Sequence, residues 1–582
     1  MSWVLGYIGE RLALTRRAEL WALHDPLRHI TETDGFYLAT GGAPFSCQFG
    51  TVQVAGKTDP SGWCVVGMGM KVEGGAAVCL GAVDWTGVLA RPVPDFTGLD
   101  GHFIALRWEA GQVEAFSDAL GLRTLYVSRQ PTGILFSTRL DWIRKAQGGG
   151  LDFEAMGGAW LTRGALPDES PVQGVRRLGP HGRAVLTPSD ARLSCRFWTP
   201  PTVEPSEEAL EAALRAFVHV RPPSDKPVSL ALSGGLDSRL LLALRAPDAR
   251  DRFGVHVFGP QEDPDVEISR RLADAENLPH RLLEEPLQPL ELLWPQLRGF
   301  LAQATLFSQA STFLHQRHYP LLAHDTGALL DASNGELARR LYFYPPKRGW
   351  RAALRSGDPA RFVPYLLKPH APFFTPEAVA EMRRGVVRQT EKLWANLPAP
   401  SSVGEENFLD LVVVSTAMPG GIGQGLLYAD AHVPVVFPFA QPSVVEAVFR
   451  TPPALRRRSR LVRRLIRQHA PALASYPLVR SYTPRTTYPY LFNTLGAGLW
   501  ARGRKVFGKA YHDWSVAFFL YYLREPVLAL LHTEGVKTFA AYDHPRLVRD
   551  VEAFYDGSPH LAPVVDDWLA FELWRRGGVA GG

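Results

Sequence analysis

The stretch Ser229–Ala246, SLALSGGLDSRLLLALRA, decides how the rest of the chain is read. Pro227 is followed by the short apolar run Val228-Ser229-Leu230-Ala231-Leu232, which predicts a buried strand over 227–232. Ser238 to Ala246 is rich in leucine and alanine and predicts a helix. Ser233-Gly234-Gly235-Leu236-Asp237 lies between them. Glycines let amide N–H groups turn toward one point, and a helix start adds partial positive charge, a combination that binds phosphate. Asp237 would repel phosphate unless a divalent cation sits between them, so the stretch predicts a Mg-nucleotide site. The G-x-x-x-x-G-K-[ST] loop is excluded, because no lysine is present. Taken alone, two glycines and an Asp-Ser pair would also serve a tight strand–turn–helix connection with a cap. The full S-G-G-x-D-S spacing between a strand and a helix favours the nucleotide.

Outward from this loop, residues after about 207 alternate between helix and strand. Helix 207–220, strand 227–232, helix 238–246, the strand in RFGVHVFG, the helix in VEISRRLADAENL and the strand in HRLLEE predict a parallel, doubly wound sheet. Ligands in such sheets lie beyond the carboxyl ends of strands. Residues 1–200 differ: GWCVVGMGM, AAVCLGAVDW, GHFIALRW and GILFSTR are short runs with turn signals. They predict a strand-dominated domain of two packed sheets, with helix near Leu12–Leu27 and Asp152–Leu161. The proline-rich stretch before Ser206-Glu207-Glu208 marks the boundary, giving domains 1–200 and 201–582.

Whole-chain properties narrow the class. The chain has 582 residues, a net charge of +5 and 46% hydrophobic residues, which predicts a multidomain globular protein without a bulk bias toward nucleic acid. Four cysteines without a C-x-x-C pair give no disulfide framework. No long apolar run or signal-like start is visible, so a cytoplasmic protein with no membrane partner is expected. The seven arginines between Arg456 and Arg467 read as a solvated helix face with one arginine turned toward the site, rather than as a nucleic-acid surface. The glycine-rich GGIGQG at 420–425 reads as a helix connection, and His315 and His318 read as packed or surface residues rather than zinc ligands.

Ser233-Gly234-Gly235-Leu236-Asp237-Ser238 is similar to the pyrophosphate loop of the asparagine synthetase family. Asp118, Gly121, Leu125 and Tyr126 resemble a pattern of its glutaminase-like domain, and PVVFPFAQPSVVEAVFRTPP resembles its C-terminal segment. The resemblance implies an N-terminal-nucleophile-like β-sandwich of α+β class, followed by an α/β domain of adenine-nucleotide α-hydrolase type with added helices. It implies a carbon–nitrogen ligase that forms AMP and pyrophosphate through an acyl-adenylate, with ATP and Mg2+ as cofactors. Its partners would be a small-molecule or peptide carboxylate and an amine donor, and a homodimer is left open.

The same resemblance assigns residues. Leu232 and Val257 would flank the adenine. Ser233, Gly234, Gly235, Asp237 and Ser238 would hold pyrophosphate and metal. Asp331 would join Asp237 on Mg2+, because Gly335 stands where the family carries the second acid. Glu336 would orient amine or metal, Arg463 would face pyrophosphate in place of a lysine, and Glu267 would sit near the acyl group. Ser2 replaces the family's cysteine nucleophile, and the glutamine-pocket N-G-E is absent. Glutamine hydrolysis is therefore not expected. The substrates left open are aspartate with ammonia, a β-amino acid closing on itself as in β-lactam synthetases, and a peptide closing as in lasso-peptide cyclases. A tRNA-modifying adenylating enzyme and a non-catalytic nucleotide-binding protein are the alternatives of another class.

Overall fold

The computed structural model describes residues 2–10, 14–24, 27–56, 60–109, 111–164, 169–201, 204–246, 252–304, 309–339, 348–478 and 514–577. Two antiparallel sheets come first. One runs in the order 175–177, 126–130, 133–137, 3–9, 36–41, 27–33, and the other is built on the long pair Ser61–Glu73 and Asp100–Glu109. Alternation along each strand gives each sheet two usable faces. Val4, Ile8 and Leu38 from the first sheet meet Cys64, Val66, Ile104 and Leu106 from the second in one buried cluster, so the sheets pack face to face. On the opposite face of the first sheet, Trp3, Leu5 and Tyr7 pack with Phe300 and Trp568 from the later helices. All four cysteines are free thiols.

Five later strands form a parallel sheet: β1 (Val228–Ala231), β2 (Phe253–Phe258), β3 (His280–Leu283), β4 (Ala328–Leu330) and β5 (Val435–Val436), in the order β3-β2-β1-β4-β5. The intervening helices include α1 (Ala209–Val218), α2 (Leu236–Ala243) and α3 (Pro264–Ala275). In α1, Leu210, Leu214 and Phe217 recur at helical spacing and are fully buried, which anchors the helix on the core. In α2, Leu240, Leu241 and Leu242 are all buried, and so are Ser238 and Arg239, so the helix is enclosed by the core. Helix starts agree with the sequence reading to within a few residues, the usual uncertainty of a frayed end.

The strand order reverses between β1 and β4. The chain leaves β1 outward through β2 and β3, then returns to place β4 on the other side. Because β1 and β4 are parallel neighbours with Leu230 opposite Leu330, the loops after both strands emerge side by side. That crevice is where doubly wound sheets bind ligands.

Three later helices matter for the crevice: α4 (Glu336–Arg339), α5 (Glu405–Ala429) and α6 (Arg460–His469). GGIGQG lies inside α5 rather than in a connection between helices. At Gly423, a Cβ would stand 2.8 Å from the Leu122 carbonyl oxygen, so a glycine lets α5 approach the N-terminal half closely. The two halves are also pinned by polar contacts. Ser443 donates through its amide and hydroxyl to Asp100, both at 2.8 Å, and the Gly101 amide donates to Gln441 at 2.7 Å. Among the described residues, no helix is long and apolar enough to cross a membrane.

Candidate active site at the β1–β4 crevice

The Ser233–Ser238 loop follows β1 directly and opens α2, with Gly235 in extended backbone at the helix cap. Its first half is held together by its own groups. The Ser233 amide donates to the Ser238 hydroxyl at 3.2 Å, and the Gly235 amide donates to the Ser233 hydroxyl at 3.3 Å. The Gly234 amide donates to Asp265 Oδ1 at 2.8 Å. The sequence reading gave all of these amides to pyrophosphate; in the fold, the first three are already engaged. Leu236, Asp237 and Ser238 open the helix, where amides have no acceptor in a preceding turn, and these remain available for an anion.

Asp265 is a residue that the sequence reading passed over. Asp263 caps α3 by accepting from the Asp265 amide at 2.7 Å, which turns Asp265 inward at the first turn. Asp265, Ile268, Ser269 and Leu272 share the buried face of α3. Glu267 lies elsewhere: its side chain is 57% exposed, and its carboxylate stands 3.7 Å from Arg271. The acid of α3 that touches the loop is therefore Asp265, not Glu267. Helical periodicity alone separates the two, since Asp265 is in phase with the apolar residues and Glu267 is not.

Asp237 meets Arg339 on α4. The Arg339 guanidinium donates to Asp237 Oδ2 and lies 3.6 Å from Glu336. Burial pushes the Asp237 carboxyl up to about 7; Arg339 opposes the rise and Glu336 adds to it. Asp237 Oδ1 is buried without a hydrogen-bond partner among the described residues, and so is Arg339 Nε. Gly335 explains how the two loops come so close. A Cβ there would lie 2.2 Å from Asp237 Cγ and 2.6 Å from Asp237 Cβ, so only a glycine admits this packing. Glu336, 41% exposed, stands at the mouth of the crevice.

These residues fit Mg2+ poorly. One oxygen of Asp237 is taken by a guanidinium, and the space of a side chain at 335 is filled by the Asp237 carboxyl. Asp331, expected to share the metal, accepts instead from the Ser333 amide at 2.8 Å and the Ser333 hydroxyl at 2.6 Å. Among the described residues, no group of three or more His, Cys, Asp or Glu is placed to hold a metal ion. Asp237 and Asp331 thus each have one carboxylate oxygen committed to a protein donor.

Two arginines line the inner wall. Arg239 on α2 is fully buried and donates to four carbonyl oxygens: Gly234 at 3.2 Å, Leu473 at 3.1 Å, Tyr476 at 2.9 Å and Pro477 at 2.7 Å. It ties the loop to the chain after α6. Burial lowers its pKa to about 10, with the charge of Arg463 adding to the effect, so Arg463 on α6 faces the same region. Arg463 is 7% exposed, whereas Arg464 pairs with Glu207 and Arg457 with Glu406 at the surface. The basic run is accordingly split between two buried arginines, Arg456 on Asp410 and Arg463, and an outer face on which Arg457 and Arg464 pair with acids. Leu232 and Val257 have buried side chains, and the Leu232 amide donates to His256 O at 2.8 Å, so neither side chain lines an open cleft.

Ser2, at the place of the expected nucleophile, is fully buried. Its hydroxyl donates to Asp430 Oδ2 at 3.0 Å, and its carbonyl accepts from Arg123 at 3.0 Å. Arg123 also pairs with Asp430. His318 is buried, with its ring stacked on Phe258 at 5.4 Å.

Residues 209–324, from the first turn of α1 to just before β4, match the family model described as asparagine synthase. This segment is what the chain shares with the asparagine synthase family. Its match contains the Ser233–Ser238 loop and Asp265, while Gly335, Glu336, Arg339 and Arg463 lie beyond it. Among solved structures, the chain is similar to the NH3-dependent NAD synthetase of Campylobacter jejuni, at 16% identity over 33% of this chain and 96% of that one, with a TM-score of 0.18. It is also similar to the glutamine phosphoribosylpyrophosphate amidotransferase of B. subtilis, at 9% identity over 57% of this chain and 81% of that one, with a TM-score of 0.22. No curated protein matches the chain. The match supports, at the level of the family, a carbon–nitrogen ligase kind of chemistry that uses ATP for this segment.

Proposed function

We propose that the chain activates a carboxylate with ATP at the β1–β4 crevice and joins the activated acyl group to an amine, without hydrolysing glutamine. The observation that carries the reading is the S-G-G-L-D-S loop at the strand-order reversal, inside the asparagine synthase segment. A carboxylate oxygen of the substrate attacks the α-phosphorus of ATP, the α–β phosphoanhydride bond breaks, and pyrophosphate leaves. The amine then attacks the acyl carbon, AMP leaves, and the amine's proton passes to solvent. Such transfers depend on positioning and charge neutralisation. The α2 amides, the Ser233 hydroxyl and the inward Arg463 suit the departing pyrophosphate. Exposed Glu336 suits an incoming amine. Mg2+, where it takes part, arrives with the nucleotide and adds charge neutralisation; the fixed charges of the crevice are those of the chain.

The first 200 residues serve as a docking body in this reading, a sandwich resembling an N-terminal-nucleophile domain. Burial of Ser2 against Asp430 and Arg123 supports that role, since a nucleophile must reach its substrate. The test is nucleotide product analysis on the full chain with Mg-ATP. Aspartate plus ammonia, glutamine in place of ammonia, and a panel of amino-acid and peptide carboxylates are compared with Asp237→Asn. AMP and pyrophosphate formed with one acyl substrate, and lost in Asp237→Asn, support the ligase. Turnover driven by glutamine would overturn the reading of Ser2, and failure to bind ATP would overturn the whole.

A further inference from the structure

The geometry points to Arg339 as the resident cation of this site: its guanidinium, seated on Asp237, meets the polyphosphate of bound ATP where an acid-held divalent ion would otherwise stand. The inference rests on the nucleotide reading above and concerns how that site carries its positive charge.

Three observations meet at Arg339. First, it is 8% exposed, so its charge is withheld from bulk water and needs a counter-charge. Second, its donors are only partly used. The guanidinium engages Asp237 Oδ2 through a single nitrogen and lies 3.6 Å from Glu336, its Nε is left without a protein partner among the described residues, and no side chain caps the start of α2. Buried polar atoms are seldom left in that state, and a guanidinium edge beside helix-start amides matches the oxygens of a phosphate. Third, the arrangement is built into the backbone. Gly335 lies four residues before Arg339, and its missing Cβ is what lets Asp237 reach across to α4. A side chain at 335 would push the Asp237 carboxyl away from Arg339. Glycine at 335 and arginine at 339 therefore act as one device.

An arginine cannot be removed by a chelator, and this gives the test. ATP binding to the full chain is measured by titration calorimetry in EDTA and in excess Mg2+, for the wild type, Arg339→Gln and Arg339→Lys, with circular dichroism confirming the fold of each. The wild type is expected to bind ATP in EDTA within about threefold of its affinity in Mg2+. Arg339→Gln is expected to lose about tenfold or more in EDTA, the scale of one buried charge-assisted contact, and to regain part of it with Mg2+. Arg339→Lys, which keeps the charge, is expected to retain most of the EDTA binding. A wild type that loses tenfold or more in EDTA while Arg339→Gln behaves identically would overturn the inference and return Asp237 to a metal, leaving the ligase reading intact. Loss of binding by Arg339→Gln in both conditions supports the inference if Arg339→Lys restores EDTA binding, and opposes it otherwise. A wild type that binds no ATP in either condition overturns both readings.

Discussion

Replacing Gly335 by alanine adds one carbon at the centre of the crevice. That carbon would lie 2.2 Å from Asp237 Cγ and 2.6 Å from both Asp237 Cβ and Oδ1. Ordinary contacts are about 3.4–4 Å, and rotation of the Asp237 side chain cannot move its own Cβ, so the backbone must shift. Overpacking of this kind costs about 1–3 kcal/mol, and the Arg339 contact is strained with it. The result depends on the neighbour. Gly335 does not have the positive φ that demands glycine. In an Asp237→Gly background the obstructing atoms are gone, and alanine then restricts the unfolded chain, which stabilises by about 0.4–1 kcal/mol. The same substitution should thus change sign between the two backgrounds, a coupling of about 2 kcal/mol. A chain of this size does not unfold in one step, so the readout is local: hydrogen–deuterium exchange of the peptide spanning 229–246, followed by mass spectrometry. Faster exchange caused by Gly335→Ala in the wild type, and unchanged or slower exchange in Asp237→Gly, is expected. Equal acceleration in both backgrounds would refute the claim that Asp237 packs against position 335.

Two further outcomes follow from buried charges. Asp430→Asn leaves Arg123 buried without its paired carboxylate, a loss of about 3–5 kcal/mol that should appear as faster hydrogen–deuterium exchange of the peptide spanning 118–130, whereas Asp430→Asn combined with Arg123→Met should recover much of the protection; a double variant that exchanges as fast as the sum of the singles predicts would contradict this. His256 is fully buried, its Nδ1 lies 2.7 Å from the Ser229 hydroxyl, and burial drives its pKa down to about 3. The folded pKa lies below the usual 6.5, so the unfolded state takes up the proton first, and stability is lost as pH falls from about 6.5 toward 3. Between pH 7 and 5 the wild type should lose about 2 kcal/mol more local stability than His256→Gln, read from hydrogen–deuterium exchange of the peptide spanning 253–258 after correction for intrinsic exchange rates, and parallel pH profiles would exclude the assignment.

Much of the parallel sheet was legible in the sequence, because its cues are local. Pro227 before an apolar run, the leucine-rich second half of α2 and the Asp263-Pro264 start of α3 each set their element from neighbouring residues. The site was only half legible. Asp265 is legible in the helical phase of Ile268 and Leu272, whereas Glu267, the acid that the resemblance implies, faces solvent beside Arg271. Asp331 is the expected second metal ligand because Gly335 stands where the resembling family carries an acid, yet the neighbouring Ser333 engages Asp331 in a local turn.

By itself, the sequence determined the loop, the strand and helix on either side of it, the alternation that makes the later sheet parallel, and the absence of a cysteine at Ser2. These depend on a few adjacent residues, or on a residue type, and no distant contact can alter them. The tertiary structure alone decided what each side chain meets. Asp237 and Arg339 are 102 positions apart in the chain, and Ser2 and Asp430 are 428 apart. The first pair touches because strand order places β4 against β1 and because Gly335 has no side chain. The second touches because the N-terminal sheets dock on α5. Both depend on how separate elements pack, and that packing gave Asp237 an arginine where the spacing of acids had suggested a metal.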